Sequence, residues 1–196
     1  SIYEGGLRVP SVLEWPAKYK PKKVSAPAYS SDVYPTLLGI AGVTMPNQPR
    51  LDGVDLSEIL EGKQSSRPAM GFWHKFTGGQ STWNDRIIRA LMEARQAGKP
   101  NPFPERLLKN VNRFPKHPAG QYVGHAAWNS WPWKLHRIQT RGAVRVELYN
   151  LAKDPMETQD LAKSQPERTK ALRAELETWQ ASVLNSHEGK DYATSP

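Results

Sequence analysis

The chain has 196 residues, a formal net charge of +8 and no cysteine. This length suits one domain, or one domain with part of another. The lack of cysteine excludes disulfides and thiolate metal sites. No apolar run is long enough for a membrane-spanning helix. The basic balance is typical of proteins that bind nucleic acid, a membrane surface or an anionic carbohydrate. Because no zinc-finger, RRM or helix-turn-helix pattern occurs, an anionic carbohydrate fits better than nucleic acid.

The first element is a glycine turn followed by an apolar run. Gly5 and Gly6 are adjacent, and glycine permits backbone angles that residues with a Cβ resist. Glu4 and Arg8 flank this turn, so they either face a charged ligand or form an ordinary ion pair. The apolar run predicts a buried strand over residues 7–15.

Two short helices are predicted next, each preceded by an acidic residue. Asp32 precedes a helix over residues 33–41, and its carboxylate can accept an early backbone N–H. Asp55 does the same for a helix over residues 56–61. A glycine follows each helix, in the position where glycine commonly ends one.

A polar boundary near residues 62–66 leads into a predicted strand over residues 67–75. His74 and Lys75 end this strand. A histidine beside a lysine at a strand end suits an anion, and the alternative is two exposed polar residues without a ligand.

The stretch of residues 77–120 is interpreted as two helices. The first runs from Ser81 or Thr82 to about Ala97, and the second starts at Pro104. Core packing explains their apolar stripes. The alternative is a wall of a substrate cleft, because long insertions often carry specificity.

The C-terminal part is predicted to be a sheet covered by a helix. Residues 131–139 alternate between two faces, as a strand does, and residues 143–149 form the return strand of a hairpin. The capping-box pattern Ser164-Gln165-Pro166-Glu167 predicts a helix that ends near Leu184. The predicted fold class is therefore α+β, with an antiparallel sheet of about four strands packed by a long C-terminal helix.

One histidine and three tryptophans stand out in this part. His125 follows Gly124 and precedes small residues, so either a ligand approaches its imidazole or it is a packed histidine. Trp128, Trp131 and Trp133 lie within six residues. They either stack on sugar rings or fill the gap between sheet and helix.

Four stretches resemble, in order, signatures found late in sulfatases of the alkaline phosphatase superfamily. They are Tyr3–Pro10 with Glu14–Pro16, Ser31–Leu38, Leu51–Leu56, and Glu147–Leu151 with Asp154, Pro155 and Glu157. The pattern is similar to arylsulfatases and N-acetylgalactosamine-6-sulfatases. The resemblance implies that residues 1–64 are the trailing strand and helices of a catalytic α/β domain. Residues 65–196 would then be the C-terminal subdomain, with an inserted helical stretch at about 77–120.

The resemblance also implies a chemistry for the parent protein, which is the hydrolysis of sulfate esters on a sulfated carbohydrate. This family uses calcium and a formylglycine made from Cys or Ser in a Cys/Ser-x-Pro/Ala-x-Arg motif. We identify no serine of this chain with that motif. Calcium, formylglycine and the catalytic residues are therefore expected in a missing N-terminal part, and the chain alone is expected to be inactive.

The expected contribution of this chain is the wall of the substrate cleft. The resemblance places Glu4 and Arg8 near the catalytic centre. We expect three further residues, His74, Lys75 and His125, to lie toward the leaving sugar. This expectation rests on their own position in the chain and their own chemistry.

The resemblance implies two partners, the missing N-terminal part and a sulfated carbohydrate. A second copy of the chain is also expected, because the N-terminal segment would expose apolar surface without its own sheet. No nucleic-acid partner and no membrane span are expected. The parent would be periplasmic, extracellular or lysosomal. Two other functions stay open: a phosphoric or phosphonic monoester hydrolase of the same superfamily, and a non-catalytic carbohydrate-binding or assembly module.

Overall fold

The computed structural model describes residues 1–48, 50–74, 85–103, 122–140, 142–187 and 190. The chain divides into two compact units. One consists of Ser1–Lys75 with Tyr122–Pro196, and the other is Phe76–Gln121. Among the described helices, none combines the length and apolar character needed to cross a membrane.

A four-stranded antiparallel sheet is the centre of the first unit. Its strands are β1 (Met70–His74), β2 (Gly124–Ser130), β3 (Trp133–Thr140) and β4 (Ala143–Asn150). They lie side by side in chain order, each antiparallel to the next. The predicted sheet of about four strands is confirmed.

A long helix covers one face of this sheet. The α-helices within the described ranges are α1 (Glu4–Leu7), α2 (Val33–Ala41), α3 (Ser57–Glu61), α4 (Asp85–Gln96) and the 22-residue α5 (Pro166–His187). The buried core between sheet and helix contains Ala126, Leu135, Leu148, Leu172 and Leu176. The first three project from one face because side chains alternate along a strand, and the last two lie four residues apart on α5. The predicted α+β architecture is therefore present.

The helix approaches the sheet closely at Gly71. A Cβ added to this residue would overlap the indole ring of Trp179 on α5. We therefore expect Gly71→Ala to lower the free energy of unfolding by about 2 kcal/mol or more, in the range of overpacked cores. Urea unfolding checks this, with Gly5→Ala as control because a Cβ there meets no atom within 4 Å. The packing would be contradicted if Gly71→Ala left the free energy of unfolding unchanged, or if adding Trp179→Leu to Gly71→Ala recovered none of the loss.

The N-terminal segment differs from its prediction. It forms the single turn α1, and residues 8–15 have no regular secondary structure. Val9 and Val12 are 76% and 91% exposed, so the buried strand predicted over residues 7–15 is wrong. An apolar run becomes a strand only where a neighbouring strand completes its hydrogen bonds, and no described strand runs beside this one.

Helices α2 and α3 form close to their predicted positions. Both end at a glycine with a left-handed backbone, Gly42 at φ +65° and Gly62 at φ +80°. Asp55 accepts the Ser57 backbone N–H at 2.8 Å, near the start of α3. Each helix is therefore ended as the sequence predicted.

Asp32 has a different role from the predicted helix cap. Its carboxylate makes no capping hydrogen bond to α2. Instead it accepts the backbone N–H groups of Tyr29 and Val54, both at 2.9 Å, and pairs with Arg67 Nη2 at 2.8 Å. Asp32 is fully buried, so this carboxylate joins three separate segments of the chain.

The second unit is described in part. Helix α4 begins at Asp85 and ends at Gln96, inside the helix predicted from Ser81 or Thr82 to Ala97. Gly98, at φ +63°, follows it. The predicted second helix from Pro104 lies outside the described residues.

Candidate functional site

The face of the sheet opposite α5 is polar. The alternation that turns Leu135 toward α5 turns Lys134 and His136 the other way. The register places Glu147 opposite His136 and Tyr149 opposite Lys134. These side chains are buried although all are polar. Buried polar groups require partners, and α1 together with the turn after β4 supplies them.

Glu157 lies at the centre of these contacts. Its Oε1 accepts from His136 Nε2 at 2.7 Å and lies 3.1 Å from Lys134 Nζ. Its Oε2 accepts the backbone N–H of Glu4. We call Glu4, Lys134, His136 and Glu157 the Glu157 cluster. Burial raises the pKa of the Glu157 carboxyl, but these donors outweigh burial and hold the pKa below its ordinary value.

Lys134 is the cation of this cluster. Its ammonium is fully buried and lies 2.7 Å from Glu4 Oε1, in addition to its contact with Glu157. Two carboxylates therefore share one ammonium. Glu157 also adopts a left-handed backbone, with φ at +54°, which is uncommon for a residue with a side chain of this size.

A second histidine extends the cluster along β2. His125 Nε2 lies 2.8 Å from His136 Nδ1. Burial lowers the pKa of both histidines, that of His125 to about 4, so both are neutral at pH 7. In the tautomers that satisfy every contact, His125 donates to His136, and His136 donates to Glu157.

Tyr3 closes the site from the side of α1. Its ring stacks on His136 with centroids 4.4 Å apart. Its hydroxyl donates to Glu147 Oε2 at 2.6 Å, where Tyr149 donates as well. Arg145 pairs with the other oxygen of Glu147 at 3.0 Å. The N-terminal turn is thus attached to the sheet by both Tyr3 and Glu4.

These pKa shifts predict an acid-sensitive fold. Unfolded His125 binds a proton below about pH 6.5, whereas the folded chain excludes that proton until about pH 4. The free energy of unfolding should therefore fall as the pH drops from 6.5 to 4, by up to about 1.4 kcal/mol per pH unit for each such proton. The lowered pKa of Glu157 acts in the same direction at still lower pH, since its contribution is lost as the carboxylate is protonated.

Urea unfolding at several pH values between 4 and 7.5 measures this dependence. His125→Gln removes the titrating group and should flatten the curve. A wild-type curve that is flat between pH 6.5 and 4.5 would contradict the burial of neutral His125.

Sequence comparison finds similarity to sulfatases over part of the chain. Human steryl-sulfatase is 40% identical over 62 residues, which are 31% of this chain and 11% of that protein. Arylsulfatase G of Rattus norvegicus is 41% identical over 68 residues, 34% of this chain and 13% of that protein. Human arylsulfatase A is 40% identical over 77 residues, 39% of this chain and 15% of that protein. The chain is similar to the C-terminal part of a sulfatase.

The fold of this sulfatase-like chain is also found in a solved structure. A putative sulfatase from Bacteroides fragilis matches with a TM-score of 0.51 and 20% identity, over 84% of this chain and 27% of that one. The likeness concerns the fold. The matched regions span small fractions of the relatives' own lengths, and no family model matches the chain.

The structure describes four of the five predicted site residues, and their surroundings differ. Glu4 is part of the Glu157 cluster, and His125 contacts it through His136. Arg8 is exposed just beyond α1. His74 is exposed at the end of β1, opposite His125 in the register. Lys75 lies outside the described residues.

Several residues of the site were not named as candidate site residues from the sequence. They are Tyr3, Lys134, His136, Glu147, Tyr149 and Glu157. Four of them, Tyr3, Glu147, Tyr149 and Glu157, do lie in the stretches that carry the sulfatase resemblance. The alternation along β3 did place Lys134 and His136 on one face. Nothing in the pattern indicated that this face is covered by the N-terminal turn.

The tryptophans are mostly engaged in packing. Trp128 donates to Glu175 at 2.7 Å and contacts Trp179, while Trp133 lies under the guanidinium of Arg168 at 4.1 Å. Trp131 is 41% exposed. Trp128 and Trp133 therefore contact side chains of α5, as expected if they fill the gap between sheet and helix.

One serine does match the letters of the nucleophile motif, which the sequence interpretation overlooked. Ser164-Gln165-Pro166-Glu167-Arg168 has the Ser-x-Pro-x-Arg spacing. The Ser164 hydroxyl donates to the Leu161 carbonyl oxygen at 3.1 Å, and Ser164 lies two residues before α5, which begins at Pro166. Within the described ranges, no group of three or more His, Asp or Glu side chains is placed to hold a metal ion.

Proposed function

We propose that this chain is the C-terminal part of a sulfuric ester hydrolase that acts on sulfated carbohydrate. The observation that carries the assignment to sulfuric ester hydrolases is the 40% identity with human steryl-sulfatase over 62 residues. The net charge of +8 supports an anionic substrate. Formylglycine and calcium belong, in this proposal, to a part of the protein outside this chain, which would be periplasmic, extracellular or lysosomal. The chain alone would not hydrolyse sulfate esters.

The proposed contribution of the chain is a cationic wall of the substrate cleft, provided by Arg8. Its guanidinium is exposed, and among the described residues it has no hydrogen-bonding or ionic partner. It directly follows α1, which the Glu157 cluster holds by its backbone and by the Glu4 carboxylate. A guanidinium on a fixed turn suits an anionic group, because it presents several N–H donors in one plane.

The other predicted substrate contacts remain part of the proposal. Glu4 would act by holding the turn, since its carboxylate is paired with Lys134. His74 and Lys75 would lie toward the leaving sugar. His125 would contribute there as well.

If His125→Ala lowers activity on the polymer more than on a small aryl sulfate, His125 contacts substrate. If both activities fall together with the melting temperature, its role is structural.

The test is an assay of the full-length protein with Arg8→Ala on an aryl sulfate, an aryl phosphate and a sulfated polysaccharide. We expect wild type to hydrolyse both sulfates, and Arg8→Ala to lose about 10- to 100-fold in kcat/KM, the size of one charged hydrogen bond. Lys20→Ala, another exposed cation, is the control. Hydrolysis of the aryl phosphate instead of the sulfates would favour the phosphoric monoester hydrolase. Equal losses of kcat/KM in Arg8→Ala and Lys20→Ala would show that Arg8 has no specific contact with the substrate.

A further inference from the structure

We propose that Glu157 is a positioning residue that fixes the turn α1 against the sheet and thereby places Arg8. The placement of Arg8 for substrate rests on the proposed function. The attachment of α1 by Glu157 rests on the contacts of this chain alone.

The first argument is the convergence of donors on one carboxylate. Glu157 accepts from His136 and the Glu4 amide, and contacts Lys134, so its two oxygens face three groups from β3 and α1. Its side chain is only 2% exposed. A buried carboxylate with this set of partners is costly to remove, because each partner loses a bond that water cannot replace.

The second argument is the backbone of Glu157 itself. Its φ of +54° puts a non-glycine residue in the left-handed region. Such conformations persist when the surroundings enforce them. Asp154 and Pro155 form the turn before it, and Thr158 and Gln159 donate to the Asp154 carboxylate, so the turn is fixed on both sides of Glu157.

The third argument is what lies beyond the attachment. Arg8 is the residue after α1, and its amide donates to the Glu4 carbonyl oxygen at 2.8 Å. Fixing the Glu4 backbone therefore fixes the backbone of Arg8, one helical turn away. After Arg8 the chain is irregular and exposed, so the position of the guanidinium depends on this attachment.

Hydrogen exchange of the chain tests the attachment without any activity. In Glu157→Gln and Glu157→Gly we expect the Glu4 and Arg8 amides to exchange at least about tenfold faster, while the Leu176 amide in α5 reports global unfolding. Glycine relieves the left-handed backbone. If Glu157 only shaped its turn, Glu157→Gly would leave these amides protected, and that result would overturn the proposal. Asn47→Gly, at φ +56° in a remote loop, is the matched control for backbone relief.

Kinetics of the full-length protein test the consequence for Arg8. We expect Glu157→Gln to lower kcat/KM on an aryl sulfate at least about fivefold at a temperature where the variant is folded, with partial rescue in Glu157→Asp. In a protein that already carries Arg8→Ala, adding Glu157→Gln should cause no further loss. If the wild type is active and Glu157→Gln exchanges faster but has unchanged kinetics, the positioning of Arg8 is overturned, while the attachment of α1 by Glu157 stands. An inactive wild type would instead reject the proposed function and leave the exchange result standing.

Discussion

Replacing Lys134 by methionine is expected to lower the free energy of unfolding by about 3–5 kcal/mol. The ammonium is fully buried and is the cation shared by Glu4 and Glu157, which it contacts at 2.7 and 3.1 Å. Methionine fills a similar volume but leaves two carboxylates close together in a site with little water. Leaving such carboxylates unpaired costs more free energy than the intact ion pair contributes to stability.

Urea unfolding of Lys134→Met against Lys170→Met gives the measurement. Lys170 is exposed on α5, so its replacement should cost less than about 0.5 kcal/mol. Adding Glu157→Gln to Lys134→Met should recover part of the loss, because one of the uncompensated carboxylates disappears. Equal effects of the two lysine variants would show that the Glu157 cluster is hydrated and not buried.

Asp32→Asn should have a similar effect, also about 3–5 kcal/mol, in a different part of the first unit. The carboxylate is fully buried and pairs with Arg67, whose side chain is 2% exposed. The Arg67 guanidinium lies 4.5 Å from the ring centre of Tyr29, and its Nε and Nη1 have no acceptor among the described residues. The neutral asparagine leaves that guanidinium without a counter-charge. Its side chain has one oxygen, so it cannot accept the backbone N–H groups of Tyr29 and Val54 at the two positions where Asp32 does.

The control for this variant is Asp52→Asn, which changes an exposed carboxylate in a neighbouring loop. Arg67→Met should also be destabilising alone, and the double variant should cost less than the sum of the two single variants. Strict additivity of Asp32→Asn and Arg67→Met would mean that the two side chains do not depend on each other.

The sequence was sufficient for the elements whose signals are local. Alternation located β3 and β4, and glycines at the ends of α2 and α3 marked where these helices stop. The apolar run over residues 7–15 misled, because a strand also requires a partner strand, and that requirement is not visible in the run itself.

The candidate site was only partly predictable for a related reason. Glu4 and His125 were singled out, but Lys134 lies 130 residues from Glu4 in the chain, and the Tyr3–Glu147 bond spans 144 residues. Spacing rules describe neighbours within one element. They carry no information on which distant turn covers the polar face of a sheet.

The long span of the Glu4–Glu157 contact also sets an order of events during synthesis. Glu4 is translated 153 residues before the carboxylate that holds it. At roughly 5–20 residues per second, the N-terminal turn waits about 8–30 s for its partner. The hairpins of the sheet form from local contacts and close quickly, so docking of α1 is the late step. Val9, Val12 and Leu13 are exposed in the folded chain as well, so this apolar segment is open to other nascent surfaces both before and after α1 docks.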